Sequence, residues 1–594
     1  MVRLFVRIFA VIGLMAVLLV AGAIFLAMQF GPKPKALPGA IVLELDLEKP
    51  MAEAPSNDPF AGFGSRRQPT VRDVVEALDR ASADPRVKGL VAHFGNNSQG
   101  MAATQELRAA VERFRRSGRF ALAHAETFGE FQSGMQSYYL ASAFEQVWMQ
   151  PLGNLGITGV MIEAPFFRGT LDKLEMVPQI GKRQEYKSAA EPFMETQASS
   201  ANREMTESLL NDLFGQMVEG VAAARSLTPD QVRQAVDRAP LLDREAVDSK
   251  LVDRLGYRDE IEAEARGRAG DGKLVPLSDY AGGTQAAAPG TRVALVTGSG
   301  AIQRGTGGAG PFGGGSDFAS DDTVEAFDRA IGDPQVKAIL FRVNSPGGSA
   351  VASEAVRRAV RRARAAGKPV VVSMGDLAAS GGYWVAMDAD RIVAHPATLT
   401  GSIGVLGGKI VTTGLTDKLG IGFTLQQRGA NAGIWTDKRA YAPGELQRRD
   451  AMLDDIYAGF TAGVAEGRKL DRAVVDRIAR GRVWTGRQAK ENGLVDVLGG
   501  YPEALAEIRT LLKLAPDAAL DLVPYPAPKT QLELVMDVLQ GDGQVRLGAW
   551  LARDALADTV AEYRPLLAKL QPLLAAARQE EMVLLMPPTG IGGY

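Results

Sequence analysis

The chain has 594 residues, of which 46% are hydrophobic and 23% are charged, and its formal net charge is −2. This length exceeds what one hydrophobic core supports, so two or more domains are expected. The charges are mixed in sign and form no basic block, which argues against nucleic acid as a partner. The absence of cysteine excludes thiolate chemistry, disulfides and zinc sites with cysteine ligands.

The N-terminal segment predicts a membrane anchor. Arg3 and Arg7 precede an uncharged stretch of 21 residues, 8–28, which is long enough to cross a bilayer as a helix. A cleaved signal peptide is the alternative, with a weak site between small residues at 21–23. We therefore assign 1–38 to an N-terminal stub, a transmembrane helix and a proline-containing spacer.

The rest of the chain repeats itself. A spacing that shrinks in small steps over a long stretch indicates one duplicated domain with small deletions. Three motifs occur twice: VEALDRA (75–81) and VEAFDRA (324–330) at a spacing of 249, DKL (172–174 and 417–419) at 245, and LVD (251–253 and 494–496) at 243.

The duplication determines the predicted architecture. We place an N-terminal copy at 39–289, a C-terminal copy at 290–525 and a helical C-terminal extension at 526–594. Each copy alternates strand-like and helix-like segments, a pattern that predicts mostly parallel sheets with helices on both faces. The fold class is therefore α/β, in two tandem copies.

Two glycine-rich turns follow consecutive predicted strands of the second copy. The sequence SPGGS at 345–349 comes after the apolar run 338–341. The sequence MGDLAASGGYW at 374–384 comes after the apolar run 369–372. Glycines let the backbone approach a substrate closely and leave N–H groups pointing outward.

These turns predict a nucleophile and an oxyanion hole. Ser380 stands where the second turn enters its helix, close to free amides and the positive end of a helix dipole. We expect Ser380 to attack and the amides of Gly348 and Gly381 to receive the developing negative charge. A serine that only caps a helix or completes a turn is the alternative.

With its SPGGS turn and MGDLAASGGYW motif, the chain resembles the signal peptide peptidase A (protease IV) family. The likeness extends from the N-terminal anchor to about residue 520 and suggests the long, two-repeat form. The resemblance implies a ClpP/crotonase-like fold and a serine endopeptidase that degrades cleaved signal peptides and other unfolded apolar peptides. It also implies a homotetramer anchored in the bacterial inner membrane, with its stub in the cytoplasm and its catalytic part in the periplasm.

The resemblance further implies a lysine as the general base, since no histidine falls at a partner position. In short, single-copy members this lysine follows the TGSIG turn, where this chain has Ala432. At the spacing of 245, Lys187 of the first copy corresponds to Ala432, and the sequence around it, YKSAAEPF at 186–193, resembles the lysine motif of the long form. The predicted dyad, Ser380 and Lys187, is thus divided between the copies.

The first copy lacks the other parts of the site. Met135 corresponds to Ser380. The segment 96–99 corresponds to the SPGG sequence at 345–348 but has no glycine pair. Ser402, in the TGSIG sequence at 400–404, resembles the family serine that hydrogen-bonds the lysine amine.

Neither a cofactor nor a metal is predicted. A non-catalytic membrane scaffold or peptide-binding module of the same fold is a second hypothesis, and a crotonase-like acyl-CoA enzyme is a third. The third is disfavoured because such an enzyme has no use for Ser380 or for a lysine in this register.

Overall fold

The computed structural model of the protein describes residues 37–49, 51–53, 69–95, 99–283, 290–307, 318–526 and 583–585. The predicted transmembrane helix at 8–28 lies outside them. So does the predicted helical extension, apart from residue 526 and residues 583–585, and the latter form a strand. Among the helices in the described part of the chain, none is both long and apolar enough to cross a membrane.

The first copy alternates strands and helices. Its strands are β1 (Ile41–Leu47), β2 (Val87–Phe94), β3 (Phe120–Ala125), β4 (Gln146–Met149), β5 (Asn154–Leu155), β6 (Val177–Lys182), β7 (Leu241–Leu242), β8 (Arg254–Leu255) and β9 (Lys273–Pro276). Its helices are α1 (Val71–Ala81), α2 (Met101–Arg116), α3 (Met135–Ala141), α4 (Arg168–Lys173), α5 (Glu191–Met194), α6 (Ser200–Arg225), α7 (Pro229–Arg238), α8 (Asp243–Asp248), α9 (Arg258–Arg268) and α10 (Leu277–Gly283).

The second copy follows the same plan. Its strands are β10 (Thr291–Ser299), β11 (Ile302–Gln303), β12 (Phe318–Ala319), β13 (Val336–Ser345), β14 (Gly347–Ser349), β15 (Val370–Ala379), β16 (Arg391–Ala394), β17 (Leu399–Gly401), β18 (Leu406–Val411), β19 (Val483–Thr485), β20 (Val497–Leu498) and β21 (Leu520–Pro524). Its helices are α11 (Ser320–Gly332), α12 (Ala350–Ala365), α13 (Gly381–Trp384), α14 (Thr413–Lys418), α15 (Pro443–Arg468), α16 (Arg472–Ile478), α17 (Gly486–Glu491) and α18 (Tyr501–Leu511). The strand at Val583–Leu585 is β22.

The strand order confirms the tandem α/β architecture. In the first copy the parallel strands run β8-β4-β3-β2-β1-β9. In the second copy their counterparts run β20-β16-β15-β13-β10-β21, again in parallel. Helices cover both faces, so the central strands are continuous apolar runs, and residues 338–341 of β13 are completely buried.

A further sheet joins the two copies. Its order is β12-β11-β14-β22-β18-β6, and β6 is its strand from the first copy. β6 pairs with β18 in antiparallel register, from Val177 opposite Val411 to Lys182 opposite Leu406. The repeats are therefore linked by backbone hydrogen bonds as well as by side-chain packing.

Helix α2 of the first copy carries a second connection, an ion cluster buried between the copies. The Arg342 guanidinium on β13 is completely buried, 3.0 Å from a carboxylate oxygen of Glu106 and 2.5 Å from one of Glu53. Burial alone would raise the pKa of Glu106, but Arg342, His395 and the N–H of Tyr501 outweigh it and hold that pKa at about 2. Glu106 is therefore a buried anion that belongs to one copy and neutralises a cation of the other.

We predict that Glu106→Gln destabilises the contact between the copies, because the buried positive charge of Arg342 is then only partly neutralised. Removing one partner of a buried ion pair costs about 3–5 kcal/mol, and urea unfolding followed by tryptophan fluorescence measures the loss. Glu112→Gln on the same helix is the control, since Glu112 is 39% exposed and its pair with Arg108 is worth under about 1 kcal/mol. Equal urea midpoints for the two variants would contradict the assigned role of Glu106.

Candidate active site

Ser380 lies at the junction of β15 and α13. Strand β15 ends at Ala379 and helix α13 begins at Gly381, so the serine is the residue at which the chain changes direction. Its backbone has φ 56° and ψ −115°, a conformation that L residues rarely adopt. Strained residues of this kind concentrate at functional sites, and here the strain lies on the predicted nucleophile.

Lys187 reaches Ser380 from the other copy. It follows the end of β6 by five residues, and its side chain is completely buried. Its Nζ lies 2.7 Å from Ser380 Oγ and 3.1 Å from both the carbonyl oxygen and Oγ of Ser402. The structure thus brings three of the predicted residues together at hydrogen-bonding distance.

The three partners of Lys187 suit a neutral amine. A neutral amine has two N–H groups and one lone pair. Both oxygens of Ser402 can accept its N–H groups, which leaves the lone pair to accept the hydroxyl proton of Ser380. An ammonium would instead have three donors and no acceptor.

Burial also favours the neutral form of this lysine. Removal from water is the cause that lowers the pKa of Lys187 well below its ordinary 10.5. Glu185 carries the nearest acid in sequence, but it pairs with Arg480 at 2.7 Å rather than with the lysine. Among the described residues, the hydrogen-bond partners of the amine are the oxygens of Ser380 and Ser402, and none is a carboxylate that would restore its charge.

The predicted oxyanion turn adjoins the nucleophile. A Cβ placed on Gly381 would lie 3.0 Å from the backbone nitrogen of Gly348 and 2.7 Å from Ser353 Oγ. The turn before it is held by Ser345 Oγ, which accepts the N–H of Gly347 at 3.1 Å. The amides of Gly348 and Gly381 are thus neighbours beside Ser380, and the close packing requires glycine at 381.

Sequence reasoning missed two glycines that make room for the lysine. A Cβ on Gly481 would lie 2.6 Å from the nitrogen of Lys187, and Gly481 also has φ +78°. A Cβ on Gly404 would lie 3.2 Å from Cδ of Lys187. The repeat could have indicated Gly481. At a spacing of 243 its counterpart in the first copy is Arg238, so only the second copy has a glycine at this position.

Sequence reasoning also missed Asp376, within the motif that contains Ser380. Its carboxylate accepts the N–H groups of Ala102 at 2.8 Å and Ala103 at 3.1 Å, in the first turn of α2. It thereby satisfies backbone donors that a helix start leaves free. The nucleophile turn is consequently attached to the first copy, four residues before Ser380.

Two other lysines of the second copy form hydrogen bonds outside this site. Lys409 Nζ donates to the carbonyl of Ile434 at 3.2 Å, and Lys438 Nζ donates to Thr412 Oγ1 at 2.9 Å. His93 and His124 lie side by side in the first sheet, and His395 Nε2 is 3.5 Å from Glu106.

The repeat counterparts of the dyad do not form a second one. Met135 is 2% exposed in the core of the first copy, and Ala432 is exposed. Neither side chain can act as nucleophile or base.

Strand β22 lies next to the oxyanion turn. Its backbone pairs in antiparallel register with β14, where Leu584 is opposite Gly348, and with β18, where Val583 is opposite Leu406. An extended segment of polypeptide therefore occupies the space between β14 and β18.

The sequence matches the family described as Peptidase family S49 over residues 129–270 and 362–515. It is 33% identical to Protease 4 of Salmonella typhi over 566 residues, which cover 90% of this chain and 88% of that protein. The chain belongs to peptidase family S49. Protease 4 of Haemophilus influenzae is 31% identical over 75% of this chain and 74% of its own. A putative signal peptide peptidase SppA of Enterococcus faecium is 34% identical over 31% of this chain and 53% of its own.

Membership in peptidase family S49 identifies the protein as a serine protease.

We predict that Gly481→Ala lowers the peptidase activity on the order of 100-fold. The added methyl group would displace the backbone of Lys187. A shift of about 1 Å at a catalytic group has an effect of this size. The measurement is kcat/KM on a quenched fluorescent peptide. Gly367→Ala is the matched control, since Gly367 also has φ +78° but a Cβ there meets nothing within 4 Å. Both variants bear the same backbone strain, so equal activities would show that Gly481 does not position the lysine.

Proposed function

We propose that the protein is an endopeptidase with a catalytic dyad of Ser380 and Lys187. The observation that carries this proposal is the 2.7 Å contact between Ser380 Oγ and Lys187 Nζ, made by a completely buried lysine. The geometry fits a nucleophile with its base in hydrogen-bond reach. A scaffold that had kept only the fold would have no reason to bury a lysine against a serine.

The reaction begins with attack of Ser380 Oγ on the scissile carbonyl carbon, while Lys187 Nζ takes the hydroxyl proton. The carbonyl oxygen becomes an oxyanion next to the amides of Gly348 and Gly381. Lys187 then donates its added proton to the departing amine, the C–N bond breaks and an acyl-enzyme remains. In deacylation Lys187 takes a proton from water, the resulting hydroxide attacks the ester, and the proton returns to Ser380 Oγ.

Ser402 is the orienting residue in this proposal. Its carbonyl oxygen and Oγ both face Lys187 Nζ, so they direct the lone pair of the amine toward Ser380. They also solvate the ammonium that forms during attack, in a pocket from which water is excluded. The N–H of Ser402 donates to the carbonyl of Arg482 at 2.7 Å, which fixes the residue in place.

The proposed substrates are extended, unfolded peptides, mainly apolar ones such as cleaved signal peptides. Support comes from β14 and β18, whose backbone edges accept an extended segment between them in the form of β22. A substrate that adds a strand gains affinity from main-chain hydrogen bonds and specificity from alternate side chains. The name of the Enterococcus faecium relative, a putative signal peptide peptidase, points to the same substrate class.

The cellular setting belongs to the proposal as well. The uncharged stretch 8–28 would anchor the protein in the bacterial inner membrane, with the ClpP/crotonase-like copies in the periplasm as a homotetramer. Released signal peptides remain in that membrane, so an anchored enzyme would meet them where they are produced.

We predict that Ser380→Ala and Lys187→Ala each abolish peptide hydrolysis without loss of folding. Lys187→Arg is also expected to be inactive, since a guanidinium stays protonated and cannot take the proton. Lys438→Ala is the control and should keep the wild-type kcat/KM, because Lys438 bonds to Thr412 and Asp437 instead. A serine-directed fluorophosphonate should label the wild type and leave Ser380→Ala unlabelled. Labelling of both proteins would exclude Ser380 as nucleophile.

The pH dependence of the rate follows from the lowered pKa of Lys187. The neutral amine is the active form, so kcat/KM should rise with pH as the proton leaves. The midpoint should fall well below the ordinary 10.5. A profile with its midpoint near 10.5 would contradict a buried neutral base. Replacement of Ser402 by Ala should move this midpoint, because the amine loses one of its oxygen partners.

Topology can be tested in intact cells. Protease added after permeabilisation of the outer membrane should digest the globular part, which begins near Gly39, while a cytoplasmic marker protein stays intact. Digestion that requires rupture of the inner membrane would show that the globular part lies in the cytoplasm.

A further inference from the structure

Three side chains that commonly bind metals meet on the face of the first sheet that α9 covers. Glu44 lies on β1, His93 on β2 and Glu262 on α9. One donor atom of each lies within 4.8 Å of the donor atoms of the other two. In the part of the chain that the structure describes, no other set of three such side chains is grouped this closely.

His93 is buried without a hydrogen bond. It is 2% exposed, and neither Nδ1 nor Nε2 has a hydrogen-bond partner among the described residues. Its Nε2 lies 3.6 Å from Oε1 of Glu44 and 3.7 Å from Oε1 of Glu262. Both distances are too long for good hydrogen bonds. A buried polar atom in this situation needs a partner of another kind, such as a bound ion.

The distances suit an ion held between the three donor atoms. Zinc binds imidazole nitrogen and carboxylate oxygen at about 2.0–2.2 Å in tetrahedral geometry, so two of its ligand atoms lie about 3.4 Å apart. The two distances from His93 Nε2 exceed this by a few tenths of an ångström. Glu44 and Glu262 are 25% and 19% exposed, which leaves their side chains free to close onto an ion. The nitrogen ligand favours zinc over magnesium or calcium, which prefer oxygen.

Arg258 both orients the two acids and competes with an ion for them. Its guanidinium lies 3.1 Å from Oε1 of Glu44 and 3.1 Å from Oε1 of Glu262. A carboxylate oxygen has more than one lone pair, so each can face the guanidinium and an ion together. Such partners hold metal ligands in position. The positive charge of Arg258 nevertheless repels a second cation and should weaken its binding.

The second copy has none of the three ligands. At the spacing of 249, His93 corresponds to Arg342. The two acids correspond to leucines, Leu295 by the strand pairing and Leu505 by the spacing of 243. The second copy thus carries a guanidinium charge of its own at this position of the sheet. Only the first copy combines a buried imidazole with two carboxylates.

We propose that Glu44, His93 and Glu262 form a binding site for one zinc ion, with water as the fourth ligand. His93 Nε2 and one oxygen of each carboxylate are the protein ligands. The ion connects β1, β2 and α9, so it attaches this helix to the sheet and stabilises the folded first copy. The site is independent of the proposed dyad, because none of its residues contributes a hydrogen bond to Lys187 Nζ.

A zinc titration of the full-length protein in detergent tests the site. The protein carries no histidine tag, is first stripped with a chelator, and competes for zinc with a chromophoric indicator. The wild type should bind one zinc per chain. Loss of a partner that only orients a ligand weakens metal binding about 10–100-fold, so Glu44→Gln and Glu262→Gln should each weaken it more than about 100-fold. A wild type that binds no zinc would overturn the proposal.

Glu48→Gln is the matched control. Glu48 lies 3.5 Å from the same Arg258, so the variant changes the same charge balance and removes no ligand. Its affinity for zinc should stay near that of the wild type, and equal affinities of Glu44→Gln and Glu48→Gln would overturn the assigned ligand. Both ligand acids are part-exposed and glutamine keeps their shape, so these variants test the site even where the buried His93→Gln fails to fold.

Arg258→Gln separates a metal site from an ordinary ion cluster. Removal of the guanidinium leaves the two acids to the ion, so this variant should bind zinc about tenfold more tightly than the wild type. Zinc binding by Arg258→Gln together with none by the wild type would show that Arg258 is the cation of the cluster. That result would overturn the proposal.

Thermal unfolding gives a readout that does not depend on peptide hydrolysis. Zinc should raise the unfolding midpoint of the wild type and of Glu48→Gln, and leave that of Glu44→Gln unchanged. Magnesium at the same concentration should have no such effect. Fluorophosphonate labelling of Ser380 should be equal with zinc and with chelator, so failure of the dyad and failure of the metal site are distinguishable. A wild-type midpoint that saturating zinc does not raise would overturn binding to the folded protein.

Discussion

The proposed dyad depends on one constraint, which is that a lysine amine must be kept dry without an acid beside it. Water or a carboxylate would favour the ammonium form of Lys187, which has no lone pair to accept the serine proton. The protein meets this requirement at the boundary between two similar domains, where the lysine of one is covered by the backbone of the other at Gly404 and Gly481. The only polar atoms that contact the amine among the described residues are serine and carbonyl oxygens, which stabilise either protonation state.

That constraint explains why the copies are joined so firmly. β6 pairs with β18 just before the chain reaches Lys187, so the register of this ladder fixes the position of the lysine in the pocket. On the other side of the site, Asp376 holds the first turn of α2, and Glu106 on that helix neutralises Arg342. A shift of about 1 Å between the copies would misplace the amine relative to Ser380.

Much of this could be predicted from the sequence because a duplication provides its own internal comparison. The spacing of 245 related Lys187 to Ala432 and Met135 to Ser380, which showed that the copies differ where chemistry would occur. The strand order was predictable only in outline, since β14, β17 and β22 have three residues each and no periodicity to recognise. Asp376 and Gly481 were missed because their roles depend on contacts with the other copy, which no local pattern records.

Strand β22 has a consequence for affinity. Its backbone already fills the edges of β14 and β18, so an incoming peptide competes with a segment tethered to the same molecule. A tethered competitor acts at a fixed effective concentration, whatever the amount of enzyme in solution. The apparent KM then equals the intrinsic dissociation constant divided by the fraction of molecules in which the segment is displaced. In the proposed mode of binding, a peptide that pairs weakly with β14 and β18 is therefore displaced by this segment more readily than one that pairs strongly.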